Sequence, residues 1–331
     1  MTNLEADVGI RVMGSPATAP TPRMGAAKPR KRTWRQAFRR DWQLYSLALG
    51  PIAFFLVFRY LPMIGNVIAF RRFRPGGSIL GTGPFTLNYF DRFIHSKTFW
   101  HVFENTLILG GLTLLFTFPL PIVLALLLNE VRNGTWKRFV QSVSYLPHFL
   151  SIVVVVTIIY QVTALDGLVN QAIHRFGVTP IPFMQQPEWF RTIFVSSEVW
   201  QTVGWGTILY LAALTMIDDD LYEAAKIDGA NRWRQTWHVT LPGLRTTMIT
   251  LLILNVGTFL GVSFEKVYLM ENPLTYSTAD ILSTYLFRVG MASASSLSYA
   301  TAIGLFEAVI GLVLIMSTNL IAKRTVGTSL W

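Results

Sequence analysis

Few groups in this 331-residue chain could do chemistry, and they are dispersed. The five histidines, His95, His101, His148, His174 and His238, show none of the spacings that hold a metal ion. There is no cysteine, which excludes a catalytic thiol, a thiolate metal site and disulfides. No Gly-x-x-x-x-Gly-Lys-Ser/Thr loop is present to cradle nucleotide phosphates, and no Gly-x-Ser-x-Gly elbow occurs. The densest polar array is 218–243, DDDLYEAAKIDGANRWRQTWHVTLPG. It reads as a helix, a glycine break, a second helix and a proline stop. Asp220 stands at an N-cap position with Glu223 three residues on, the capping-box spacing. Leu221, Ala224, Ala225 and Asp228 fall at i, i+3, i+4 and i+7 and share one helical face. The two alanines make that face thin enough for another surface to approach closely. Gly229 can take the left-handed conformation that ends a helix. Trp233 and Trp237 share a face of the second helix beside Arg232 and Arg234, and Leu241-Pro242 closes the array.

A second, looser set could hold a polar ligand. Ligand clefts are lined by aromatic faces with a few placed polar side chains. Asn255, Phe259, Phe264, Glu265, Tyr268 and Tyr285, on or after an apolar run, are candidates for that role. Aromatic residues are equally normal in membrane belts and cores, and a glutamate near a membrane boundary is often interfacial. Arg59, Arg71, Arg72, Arg74, Arg92 and Lys97 give one side an unusual basic load. That load suits a docking protein, lipid phosphate or another anionic ligand.

The elements that must position these groups are membrane helices. Apolar residues make up 52% of the chain and charged ones only 14%, against about a quarter charged in soluble domains. A helix needs roughly 20 mostly apolar residues to cross a bilayer core. Runs near 44–64, 103–128, 139–161, 191–216, 246–268 and 299–321 meet that demand. The expected fold class is therefore an all-α membrane protein with six transmembrane helices. Pro119 and Pro121 should kink the second. Residues 1–40 form a basic, proline-containing tail and 41–331 the membrane domain. The tail is too long and polar ahead of the first apolar run to be a cleaved signal peptide. The net charge of +10 is explained by this tail and by membrane-flanking Lys and Arg, not by a nucleic-acid surface. An even number of spans puts both ends on one side. The internal loops alone nearly balance in Lys and Arg, and the tail assigns the ends to the cytoplasm.

The order of features in 218–243 resembles the EAA loop of ATP-binding-cassette importer permeases: EAA, three residues, glycine, a spacer, then a hydrophobic residue and Leu-Pro. Here these are Glu223-Ala224-Ala225, Gly229 and Leu241-Pro242, with Asp228 and Ala230 flanking the glycine and Trp237 where phenylalanine is usual. Further runs look like the carbohydrate-uptake class, the MalF- and LplB-like sugar or polysaccharide permeases. They include Tyr60-Leu61-Pro62-Met63, Leu128-Asn129-Glu130-Val131-Arg132, Tyr145-Leu146-Pro147-His148, Gly204-Trp205-Gly206 and Tyr299-Ala300-Thr301-Ala302. Each run alone is unspecific, but their order over residues 44–331 is not. The chain lacks the extra helices and large external domain of MalF itself.

The resemblance implies the type I importer permease fold and a non-catalytic transport subunit in the bacterial inner membrane. It implies a second homologous permease chain, two copies of an ATP-binding subunit, and an extracytoplasmic solute-binding protein, besides membrane lipid and no nucleic acid. No cofactor is expected on this chain, with ATP and Mg on the ATPase subunits. The cytoplasmic loop is expected to dock into the ATPase subunit through Glu223, Ala224, Ala225, Asp228, Gly229, Ala230, Trp237, Leu241 and Pro242. Glu223 is expected to meet a basic or polar group there. The expected cargo is an oligosaccharide, with acidic ones as the sharper hypothesis. The same machine could carry glycerol phosphate, an amino acid or a peptide, and a non-conducting membrane scaffold is the alternative from another class.

Overall fold

The computed structural model describes residues 40–257, 259–261, 263–292 and 296–326. The basic tail expected over 1–40 lies, but for Arg40, outside the described residues. Among these the chain is helical, with one isolated antiparallel bridge between Arg72 and Thr82. Residues up to Tyr60 form one compact unit and those from Leu61 onward another. In the first unit, α1 (Trp42–Phe55) passes into a π turn at Leu56–Tyr60. Its exposed leucines, isoleucine and phenylalanines form an apolar surface of the kind that lipid covers.

The second unit is built from α2 (Lys97–Thr117), α3 (Pro119–Glu130), α4 (Gly134–Tyr145), α5 (Ile152–Thr163), α6 (Pro187–Leu214), α7 (Asp219–Ile227), α8 (Leu241–Gly257), α9 (Phe264–Met270), α10 (Leu282–Ala292) and α11 (Leu297–Val326). Local chemistry starts several of them. Ser96 accepts from the Phe99 N–H at 3.0 Å, Asn133 from those of Thr135 and Trp136, and Ser151 from that of Val154. Each satisfies a donor that the first helical turn leaves unpaired.

The apolar runs fold with more breaks than their sequence suggests. The second is interrupted at Phe118, where Pro119 opens α3 at a position whose N–H no helix needs. The run near 139–161 is α4 and α5 separated by a 3-10 turn at Leu146–Phe149 and an extended Leu150. The run near 246–268 begins earlier, in α8, and passes through a turn at Phe259–Gly261 before α9. Five helical stretches are long and apolar enough to cross a membrane: Trp42–Ala69, Lys97–Glu130, Ile152–His174, Arg232–Gly257 and Leu297–Arg324. Helix α6 has 28 residues but is not among the five. Its buried stripe explains why. Phe190, Phe194, Val195, Ser197, Glu198, Gln201, Gly204, Thr207, Tyr210 and Leu214 recur at helical spacing, and half of that stripe is polar or glycine.

Helix α6 packs against α2, α3, α4 and α8. Lipid tails are as apolar as leucine, so helices in a bilayer associate through close packing and polar contacts. Thr207 Oγ1 reaches the Pro121 carbonyl at 3.3 Å, and Gly204 lets α4 approach α6 backbone to backbone. Three apolar clusters flank this axis. Leu109, Val155, Phe190, Phe194 and Met270 form one, Phe93, Phe99, Leu282, Tyr299 and Ile303 a second, and Ile122, Ala125, Tyr210, Leu214 and Leu244 a third.

Candidate functional site

Helices α2, α6 and α8 and the turn before α9 enclose a cavity of about 520 Å³. Its wall carries Thr113, Thr117, His148, Glu198, Thr202, Tyr210, Asn255 and Ser263, together with Phe118, Trp205 and Phe259. A second cavity of about 670 Å³ shares His148, Glu198, Thr202 and Ser263 and adds Ser151, Gln201, Phe264, Glu265 and Tyr268. Helix α6 supplies the polar side because Glu198, Gln201 and Thr202 stand at i, i+3 and i+4. Ser263 Oγ donates to Glu198 Oε1 at 2.9 Å. Lys266, wholly buried on α9, places Nζ 3.3 Å from the same oxygen and 3.3 Å from Gln201 Oε1. The His148 ring stacks on Trp205 at 4.5 Å and 6°. Thr113 Oγ1 is buried without a hydrogen-bond partner. These groups offer hydrogen bonds and ring faces. Among the described residues no group of three acids or histidines could hold a metal ion.

The sequence candidates distribute unevenly. Asn255 and Phe259 line the first cavity, and Phe264, Glu265 and Tyr268 line the second. Tyr285 stands on neither wall; it packs in the Phe93 cluster with its ring 6.5 Å from that of Phe93. Glu198, Gln201, Thr202 and Lys266 went unread in the sequence, and His148 and Trp205 were read only as packing or resemblance. A signal for them exists. An ionisable residue inside a membrane helix is costly and points to function, and Glu198 is followed by Gln201 and Thr202 on one face.

The 218–243 array is a separate surface. Its first helix starts two residues earlier than the capping-box reading requires. Asp218 is the N-cap, its side chain accepting from the Asp220 N–H at 3.1 Å. Glu223 therefore stands two residues beyond the position that closes the box, and it is exposed. The helix ends as a Schellman motif: Gly229, at φ +75°, sends its N–H to Lys226 O, and Ala230 sends its own to Ala225 O at 2.8 Å. Ala225 thus serves through its carbonyl. Asn231 caps the next turn, and Trp233 and Trp237 meet edge to face at 6.0 Å. The expected proline stop is absent. Arg232–Gly257 is one helical run, with a π turn at Thr236–Thr240 just before Leu241 and Pro242. A π turn relieves the place where proline supplies no N–H. Tyr222 Oη bonds Thr240 Oγ1 at 3.1 Å, and Arg232 pairs with Glu130 at the end of α3. The pinned loop leaves Ala224, Asp228, Gly229, Trp237 and Pro242 exposed with Glu223, while Ala225, Ala230 and Leu241 are half-buried. Leu221, Ile227 and Trp233 add exposed apolar surface.

The chain has relatives among known proteins. Residues 117–327 match the model of the binding-protein-dependent transport system inner membrane component family. The chain is 44% identical to Protein LplB of Bacillus subtilis over 88% of its length and 92% of that protein. It is 45% identical to the polygalacturonan/rhamnogalacturonan transport system permease protein YteP of the same organism, over 85% of this chain and 88% of that one. Its fold matches a chain in the crystal structure of a bacterial ABC transporter involved in the import of the acidic polysaccharide alginate. There the TM-score is 0.82 and the identity 40%, covering 88% of this chain and 99% of that one. By this match and these identities the chain belongs to the inner-membrane permease components of binding-protein-dependent ABC transport systems.

Proposed function

We propose that this chain is one membrane-spanning subunit of an ATP-driven importer of oligosaccharides, with acidic, uronate-containing chains as cargo. The observation that carries the reading is the fold shared at 40% identity with a chain of an importer of the acidic polysaccharide alginate. A relative named for polygalacturonan and rhamnogalacturonan transport points the same way. The cavity suits the role, since aromatic faces and scattered hydroxyl, amide and carboxylate groups are what a sugar chain meets in a cleft. A second homologous permease chain completes the pathway, and an extracytoplasmic binding protein delivers the cargo. The alginate transporter has been solved with its pentasaccharide-bound periplasmic protein. The chain itself hydrolyses nothing and binds no cofactor. Both ends face the cytoplasm, where 218–243 docks onto one of two ATP-binding subunits. ATP closes those subunits, the docked loop moves with them, and the permease turns from inward-facing to outward-facing. The machine is a two-state element biased by ligands on both sides.

Two measurements test this. With the four-subunit complex and binding protein in proteoliposomes, uptake of a uronate oligosaccharide is expected to exceed that of a neutral one of equal length. Uptake of the neutral sugar alone would remove the acidic cargo. For the loop, Gly229→Val is expected to lower substrate-stimulated ATP hydrolysis at least several-fold. A Cβ at Gly229 meets nothing within 4 Å, so the penalty is the left-handed backbone, about 1–2 kcal/mol for an L-residue. That strain reshapes the docking surface without touching the core. Wild-type coupling in this variant would sink the docking role.

A further inference from the structure

Among the described residues Glu198 is the carboxylate common to the walls of both cavities, while Glu265 lines the second alone. An acidic group on the route of an acidic sugar chain opposes that cargo unless its charge is answered. The structure shows an answer placed out of the cargo's reach. Lys266 is wholly buried and lines neither cavity. Its Nζ lies 3.3 Å from Glu198 Oε1 and 5.7 Å from the centre of the Phe194 ring. Gln201 Oε1 accepts from the same ammonium, and Ser263 Oγ donates to the same carboxylate oxygen. The ammonium thus sits behind the carboxylate, held by groups of α6.

We infer that Lys266 is a specificity-determining positioning residue, whose charge, never touching cargo, cancels that of Glu198 and makes the cavity wall passable to uronate chains. The inference rests on the acidic-oligosaccharide reading above. A buried ion pair is weak as a device for stability, since two apolar residues can do as well. Its location on a transport cavity gives it a reason of another kind. Glu265 lines the second cavity only, and on the wall of the first Glu198 is the one carboxylate among the described residues, so it dominates the field there once Lys266 is removed.

The test uses the complete reconstituted complex, with all rates expressed per assembled complex. Lys266→Gln is expected to lower uronate uptake at least tenfold and neutral-sugar uptake far less. Lys266→Arg should keep most of the uronate uptake, and the double variant Glu198→Gln/Lys266→Gln should restore it, because the opposing charge has gone. An equal loss of both cargoes in Lys266→Gln, or no recovery in the double variant, would overturn the inference and leave the pair a structural one. If the wild type rejects neutral sugar, the loss and its recovery are read on uronate alone, and an undiminished rate in Lys266→Gln overturns the proposal. A wild type that moves no uronate chain removes the cargo reading itself and the inference with it.

Discussion

Gly204→Ala is expected to yield a permease that is poorly recovered, melts several degrees lower in detergent and transports near background. Gly204 is buried on α6 where α4 crosses it. A Cβ at this position collides with the carbonyl oxygen and carbon of Ser144. Those are backbone atoms, and no side-chain rotation moves them aside. The two helices must part by more than an ångström. Overpacking of this kind costs about 1–3 kcal/mol where side chains can yield, and here the upper end applies. The damage reaches the cavity directly. Ser144 lies just before the turn that carries His148, and Trp205 follows Gly204, so the parting of α4 from α6 pulls apart the His148–Trp205 stack. Size-exclusion recovery and thermal midpoint measure the first effect, and proteoliposome uptake the second. Wild-type recovery and uptake would show that α4 is free to yield.

Arg288→Leu is expected to destabilise the chain by about 2 kcal/mol at pH 8 and by less at pH 6. Arg288 on α10 pairs with Asp280, lies 3.7 Å from Glu271 Oε1, and rests 4.5 Å from the centre of the Tyr276 ring. Both carboxylates are nearly buried, and this single cation answers them. Removing one member of a buried ion pair costs about 3–5 kcal/mol, but Arg288 is 37% exposed, so water screens part of that loss. The pH dependence follows from Glu271, in the connection between the stretches Arg232–Gly257 and Leu297–Arg324. Burial foremost, and then the charge of Asp280, pushes its carboxyl up from 4.5 to about 7. The folded chain therefore keeps a proton that the unfolded chain releases well below pH 7. That contribution to stability is full below about pH 4.5 and is lost as pH rises through about 7. Without Arg288 the ionised pair of carboxylates stands unanswered, so protonation at pH 6 relieves the variant more than the wild type. Thermal midpoints of both proteins at the two pH values check this. An equal shift at both would detach Glu271 from the effect.

Much of this protein was legible from periodicity and order along the chain. Membrane spans are readable because a bilayer demands about 20 apolar residues in succession, a local requirement that leaves a local trace. The helix break at Gly229 was readable for a similar reason, since only glycine occupies φ +75° without penalty. The capping box at Asp220 failed because Asp218, Asp219 and Asp220 are three adjacent cap residues, and spacing alone does not choose between them. The proline stop at Pro242 failed because a π turn upstream absorbs the missing donor, and nothing in the local composition announces a π turn.

The amino-acid sequence by itself determined the membrane-embedded helical class, the EAA array and the family, for these depend on short-range pattern. The tertiary structure alone decided which polar groups face a cavity and which face each other. Glu198 and Lys266 are 68 residues apart in the chain and meet only because α9 turns back onto α6. Tyr285, a pathway candidate in the sequence, packs against the Phe93 cluster in the fold. In a bilayer almost every helix is apolar all round, so hydrophobicity does not tell lipid-facing from cavity-facing sides, and only the packed arrangement assigns each polar group its partner.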